Sequence, residues 1–239
     1  MRSMWRTLPA PLRRDIALVC LADAVVGLSY GAITVGAGFA VWLPVALSVV
    51  VLAGASQFLF VGIVAAGGSP LAAAAAGLVV NARHLPFGLA VADAIGPGWR
   101  RVVGSHLMND ESVAFTLAQP RRDLRRATYW VCGLAIALAW NGGVLVGALA
   151  GAAVRDTGAL GLDAAFPAVL LALVLPALRE RRTRQAAVTG GAVALAATPV
   201  FPAGVPVLLA LVGIVPALRR GEVRAGGGAT SGAGTEAGC

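Results

Sequence analysis

Lysine does not occur in this chain of 239 residues, and charged residues of all kinds make up only 13% of it. A soluble domain carries about 25% charged and about 45–50% apolar residues, whereas the apolar share here is 58%. Burial rises only slowly with chain length, so a water-soluble fold of this size has too little interior for that surface. The excess faces lipid. Cysteine is also scarce: Cys20, Cys132 and Cys239 show no metal-ligand or redox spacing, and the first two lie in apolar runs as small hydrophobes. With two histidines there is no His-Glu-x-x-His pair, and neither a Gly-rich phosphate loop nor a Gly-x-Ser-x-Gly elbow occurs. These gaps exclude the recognisable forms of zinc hydrolase, nucleotide enzyme and serine hydrolase. We expect a non-enzyme with no cofactor and no metal.

What the chain does have is arginine, which supplies all 19 of its basic residues and a net charge of +8. A basic balance can mean nucleic acid, but such a surface is a continuous stripe. Here the arginines sit at 13–14, 100–101, 121–126, 179–184 and 219–220, each beside a long apolar run. That is the pattern of loops flanking membrane spans, and no nucleic-acid partner is expected. A hydrocarbon core of about 30 Å needs about 20 apolar residues. On that measure spans are expected near 16–37, 41–66, 127–152, 161–178, 186–201 and 203–218. Residues 70–119 are interrupted by Asn81, Arg83, His84, Pro86, Asp93 and Pro97, and read as two broken spans or a re-entrant pair.

The expected fold is therefore an all-α polytopic bundle of about six to eight spans, with broken or re-entrant helices around 70–104. Residues 1–14 form a cytoplasmic N-terminal segment, 15–220 the transmembrane domain, and 221–239 a flexible Gly/Ala-rich tail. The first apolar run is too long for a signal-peptide core and reads as an uncleaved span. Arginine counts place both termini in the cytoplasm of a bacterial inner membrane; an eight-span count puts Arg100-Arg101 outside. Two stretches, from Phe166 and from Val205, resemble one another as Pro-bounded apolar helices ending in Arg. They read as an internal repeat or as chance similarity.

Polar residues inside apolar runs are expensive and tend to face a bundle interior or a substrate path. In Gly54-Ala55-Ser56-Gln57, the Gln57 amide both donates and accepts, so the cluster serves either close packing or a zwitterion. In Asn81-Ala82-Arg83-His84-Leu85-Pro86, the proline lacks an N–H and clashes with the Ala82 carbonyl, which breaks a helix and frees backbone groups for a ligand. Arg83 is a candidate for a carboxylate and His84 for proton coupling; otherwise the stretch is a loop with Arg83 as a topology anchor. His106 and Asp110 are spaced to pair, and Asp110-Glu111 either carry protons, neutralise Arg83 or complement a helix N-terminus. Asp23, deep in the first span, is a functional candidate by default. Asn141-Gly142-Gly143 reads as helix packing, and the five tryptophans mostly as interface anchors.

The run Ala53-Gly54-Ala55-Ser56-Gln57-Phe58, followed by Asn81-Ala82-Arg83-His84 and by Asn109-Asp110-Glu111-Ser112, resembles the AzlC family of branched-chain amino-acid permeases. Order and spacing also match, over roughly residues 15–218. The resemblance implies export of valine, leucine and isoleucine, driven by the proton motive force, with a small AzlD-like membrane subunit as partner. The matching positions are Gly54, Ser56, Gln57, Asn81 and Arg83, which we assign to substrate, and His84, Asp110 and Glu111, which we assign with Asp23 to proton coupling. The chain departs from the family in its first span, where Asp23 to Gly31 replaces a Pro-Phe-Gly-like stretch. Transport of another small solute, or a non-transporting membrane subunit, is the alternative.

Overall fold

The computed structural model describes residues 2–153, 171, 175, 177–202 and 204–215. Among them the chain is all helix. The order is α1 (Arg2–Thr7), α2 (Ala10–Gly36), α3 (Trp42–Val51), α4 (Gly54–Ala65), α5 (Pro70–Asn81), α6 (His84–Ile95), α7 (Trp99–His106), α8 (Asp110–Leu117), α9 (Arg122–Ala153), α10 (Arg181–Ala197) and α11 (Val205–Leu209). Short 3₁₀ turns cover Ala177–Arg179 and Ala210–Ile214.

The centre of the bundle is the pair α2 and α9, each long and apolar enough to cross a membrane. Prolines at the first turn start α2, and the left-handed Gly38 follows its end. The two helices touch backbone to backbone. Gly143 lies against the Ala24 carbonyl, Gly147 against that of Leu28 and Gly151 against that of Ala32. Both registers advance by four, so the helices run parallel and their arginine-bearing ends, 13–14 and 121–126, lie at the same end of the bundle. Outward, Leu18, Leu21, Val25, Leu138, Val146 and Leu149 are exposed, an apolar band that water would not tolerate.

The expected span at 41–66 is not one rod. Ser48 Oγ donates to Asn141 Oδ1 at 2.7 Å, and Gln57 Nε2 donates to the Leu47 carbonyl at 3.4 Å. Residues ten apart on one helix lie about 15 Å apart, so the chain must turn back between them. It does so at Leu52-Ala53, where Leu52 takes a left-handed φ of 46°. Thus α3 and α4 enter and leave from one end. The α5–α6 pair is bent by 47° at its break, and its far end is tied to α9 by the Arg125 bond to the Ala90 carbonyl and the Arg125–Asp93 ion pair. α7 and α8 form a second in-and-out hairpin from the opposite end. Gly104 meets Tyr129 and Leu107 meets Gly133, but Leu117, the last residue of α8, stands only five residues before the start of α9 at Arg122.

The described residues hold two helices long and apolar enough to cross a membrane, or up to three candidate crossings if the bent pair counts as one span. α10 and the 3₁₀ turn after α11 pack closely through Gly190 and Gly213. Most of the expected span at 161–178, and most of the stretch from Phe166 that resembles Val205 onward, lie outside the described residues, as does the 221–239 tail.

Candidate functional site

Three helix interruptions meet inside the bundle: Leu52-Ala53, Ala82-Arg83 and the Leu107–Asn109 turn. Asn81, the last residue of α5, donates from Nδ2 to Ser56 Oγ at 3.0 Å, joining the first interruption to the second. Arg83 joins the second to the third. Its Nε and Nη2 donate to Asp110 Oδ1 and Oδ2 at 3.0 and 2.8 Å, while Nη1 donates to the Val80 carbonyl. Pro86 sits in the first turn of α6, where its missing N–H costs nothing, so the break falls just before the position expected from the Ala82 clash.

Around Ser56 the site is polar on one side and aromatic on the other. Gln57 is 1% exposed. It accepts from Trp140 Nε1 at 3.3 Å while donating to Leu47. Tyr30 and Phe58 meet edge to face with centroids 5.1 Å apart, and Trp140 closes the trio. Gly54 is required beneath that indole, because a β-carbon there would stand 2.8 Å from Cη2. No side chain caps α4, so the N–H groups of its first turn, beneath the indole, lack the side-chain acceptor that a bound anion would supply. Asn81 Oδ1 is buried with no partner, an acceptor that favours a donor arriving from outside the protein. An uncapped N-terminus for a carboxylate and an orphan carbonyl for an ammonium together suit a zwitterion.

The second half of the site is charged. Glu111 interacts electrostatically with Arg83 and Asp110 on one side and with Asp23 on the other. Asp23 Oδ2 is buried without a partner. His84 Nδ1 lies 2.9 Å from the Asn81 carbonyl, and its ring meets Phe87 edge-on. The expected His106–Asp110 pairing does not form: the two residues end and begin different helices, and Arg83 takes the carboxylate. α8 itself is fixed by a capping box, with Asn109 Oδ1 accepting the Ser112 N–H at 2.7 Å and Ser112 Oγ accepting that of Asn109. Replacing Asn109 by alanine is expected to cost about 1 kcal/mol, read as a lower thermal midpoint in detergent with helix content otherwise kept.

The structure brings eight of the nine expected site residues to the three interruptions, while Asp23 lies within α2 with no hydrogen bond or ion pair to them. Sequence reasoning missed Trp140, read as an interface anchor. It is 7% exposed and lies inside α9. Asn141 was read only as packing, and its hydrogen-bond partner Ser48 was not singled out. The neighbouring Asn141-Gly142-Gly143 was the available signal, since an amide beside glycines marks where another backbone comes close.

Residues 18–154, more than half of the chain, match the family described as AzlC protein. The chain is 26% identical over 200 residues to the branched-chain amino acid transport protein AzlC of Bacillus subtilis, covering 81% of this chain and 78% of that protein. It is also 26% identical over 204 residues to an uncharacterized membrane protein of Helicobacter pylori strain J99, covering 84% and 89%. No solved structure matches it. With the match running through most of α2 to the end of α9, where every element of the site lies, the chain belongs to the AzlC family.

Proposed function

We propose that this chain is the large subunit of a secondary transporter that exports valine, leucine and isoleucine across the bacterial cytoplasmic membrane. The observation that carries this reading is the pairing of the open α4 N-terminus with the unpartnered Asn81 Oδ1 beside an aromatic wall. The substrate carboxylate binds the first-turn N–H groups of α4, and its ammonium binds Asn81. The branched side chain lies against Phe58 and Trp140. Since Trp140 covers Gly54, that ring moves aside to admit the ligand. Discrimination among the three amino acids is modest, because one methylene is worth about 1–3 kcal/mol.

Export is driven by the proton motive force, with Glu111 and Asp23 exchanging the proton and His84 as a further carrier. A small AzlD-like subunit completes the transporter, and both termini face the cytoplasm. Of the six to eight crossings counted along the sequence, α2, α9 and the bent α5–α6 pair supply three, with α3–α4 and α7–α8 as in-and-out hairpins between them.

The test is efflux of preloaded radiolabelled leucine from cells lacking their own exporters, with this chain expressed beside its small partner. We expect faster efflux that an uncoupler abolishes and that Gln57→Leu reduces about tenfold or more, since the substitution strands Trp140 Nε1 without its acceptor. Unchanged efflux, with the protein confirmed in the membrane, rejects leucine as substrate. A second reading, transport of a solute bearing a cation, is favoured by one observation: the buried, unpartnered Asp23 Oδ2. In that case Asp23→Asn ends transport of the cation, whereas leucine does not compete.

A further inference from the structure

Away from the helix interruptions, α7 and α9 enclose a cleft of about 340 Å³ lined by Trp99, Arg100 and Val103 on one helix and Arg126, Trp130 and Leu134 on the other. That volume falls within the range of about 300–1,000 Å³ usual for ligand sites. Its chemistry is graded along its length. Arg126 belongs to the arginine-rich start of α9, and Leu134 lies eight residues further along the helix, about 12 Å deeper at 1.5 Å per residue. α7 begins at the same end, with Arg100 before Val103.

The two arginine side chains meet beside Gly96. A β-carbon on Gly96 would stand 3.5 Å from Arg126 Nη2 and 3.8 Å from Arg100 Cδ. Arg100 also lies over the Trp99 ring at 5.8 Å. Neither arginine enters an ion pair with a carboxylate among the described residues, in contrast to Arg83, Arg121 and Arg125. Two uncompensated cations stand at the level where polar helix ends give way to apolar ones, with a tryptophan beside them and an apolar slot beneath.

We propose that this cleft is a binding site for an anionic phospholipid, with the phosphodiester held by Arg100 and Arg126 and an acyl chain lying on Trp130 and Leu134. Guanidinium groups bind phosphate oxygens in a fork geometry that a net-neutral headgroup answers less well, and basic pockets between membrane helices are suited to acidic headgroups. A free anion satisfies the arginines but leaves the slot empty. The graded lining therefore favours a lipid over a soluble phosphate.

The experiment is native mass spectrometry of the purified full chain in detergent. The protein is titrated with equal amounts of phosphatidylglycerol and phosphatidylcholine of identical acyl composition. We expect phosphatidylglycerol to be retained about thirtyfold better, given roughly a thirtyfold gain for two arginines at such a surface. Arg100→Gln with Arg126→Gln should remove that preference. Leu134→Trp, which fills the slot and keeps both charges, should lower retention of phosphatidylglycerol. Millimolar inorganic phosphate or glycerophosphoglycerol should not displace the lipid. Equal retention of the two lipids overturns the proposal, as does a preference that survives the double arginine substitution. Displacement by phosphate alone also overturns it, in favour of a simple anion site. Because Arg100 is exposed at the start of α7, Arg100→Gln alone leaves the fold intact. It should weaken the preference by itself, so the test stands even if the double variant misfolds. None of these readouts requires transport, so failure here leaves the exporter reading untouched, and the reverse holds.

Discussion

Gly147→Val is expected to remove the protein from the membrane, while Gly142→Ala, five residues earlier on the same helix, is expected to leave it folded. The contrast follows from the faces on which the two glycines lie. A β-carbon at Gly147 would press into the Leu28 backbone carbonyl, whereas at Gly142 nothing lies within 4 Å. The obstacle at Gly147 is backbone and cannot swing away. α2 and α9 would have to separate along the seam that Gly143, Gly147 and Gly151 share with Ala24, Leu28 and Ala32. In lipid, helix association rests on such close packing, since no hydrophobic gain drives it. Overpacking a core typically costs about 1–3 kcal/mol, and here it falls on the central helix pair. Gly142→Ala instead gains up to about 1 kcal/mol of helix propensity. Fluorescence-detected gel filtration of tagged variants reads both outcomes. A monodisperse Gly147→Val peak of wild-type height would show that the parallel α2–α9 seam is not as described.

How much of this was legible beforehand depends on what each signal measures. Apolar run length located α2 and α9 well, because each is an unbroken helix with Pro at most in its first turn. The same measure failed at 41–66, since hydropathy counts apolar residues without their direction. The turn at Leu52 carries no Gly or Pro to announce it, and a leucine with positive φ is the kind of strained position that only a structure reveals. Pro86 did announce its break, displaced by one turn because proline is comfortable at a helix start. The Arg100-Arg101 pair, awkward for an eight-span count, is explained by the α7–α8 hairpin. That hairpin enters and leaves at the end where Arg126 lies, so the arginines share one side. Gln57, Asn81 and Arg83 were picked out because polar side chains are rare in apolar runs. Their partners Trp140 and Leu47 were not, because nothing about an indole or a leucine marks it as belonging to a site.

The Arg83–Asp110 pair yields the prediction with the largest effect on transport. Arg83 was expected to bind a substrate carboxylate directly, yet both of its forked donors are held by Asp110. The pair links the α5–α6 break to the start of α8. Its side chains are 31% and 48% exposed, and ion pairs of that kind contribute only about 0–1 kcal/mol to stability. Arg83→Ala should therefore fold and reach the membrane while leucine efflux drops about a hundredfold, the scale expected when a small displacement misplaces a reacting geometry. The charge-reversed double variant, Arg83→Asp with Asp110→Arg, separates two roles. If the pair acts as a latch between the two breaks, the reversed latch recovers a substantial part of the efflux. Recovery stays incomplete, because an arginine at the α8 N-terminus opposes the helix dipole by about 0.3–1 kcal/mol. If Arg83 instead releases Asp110 to grip the substrate carboxylate, the double variant is as inactive as Arg83→Ala, since an aspartate at position 83 repels that carboxylate. Wild-type efflux in Arg83→Ala would eliminate both roles and leave the cation as a topology anchor.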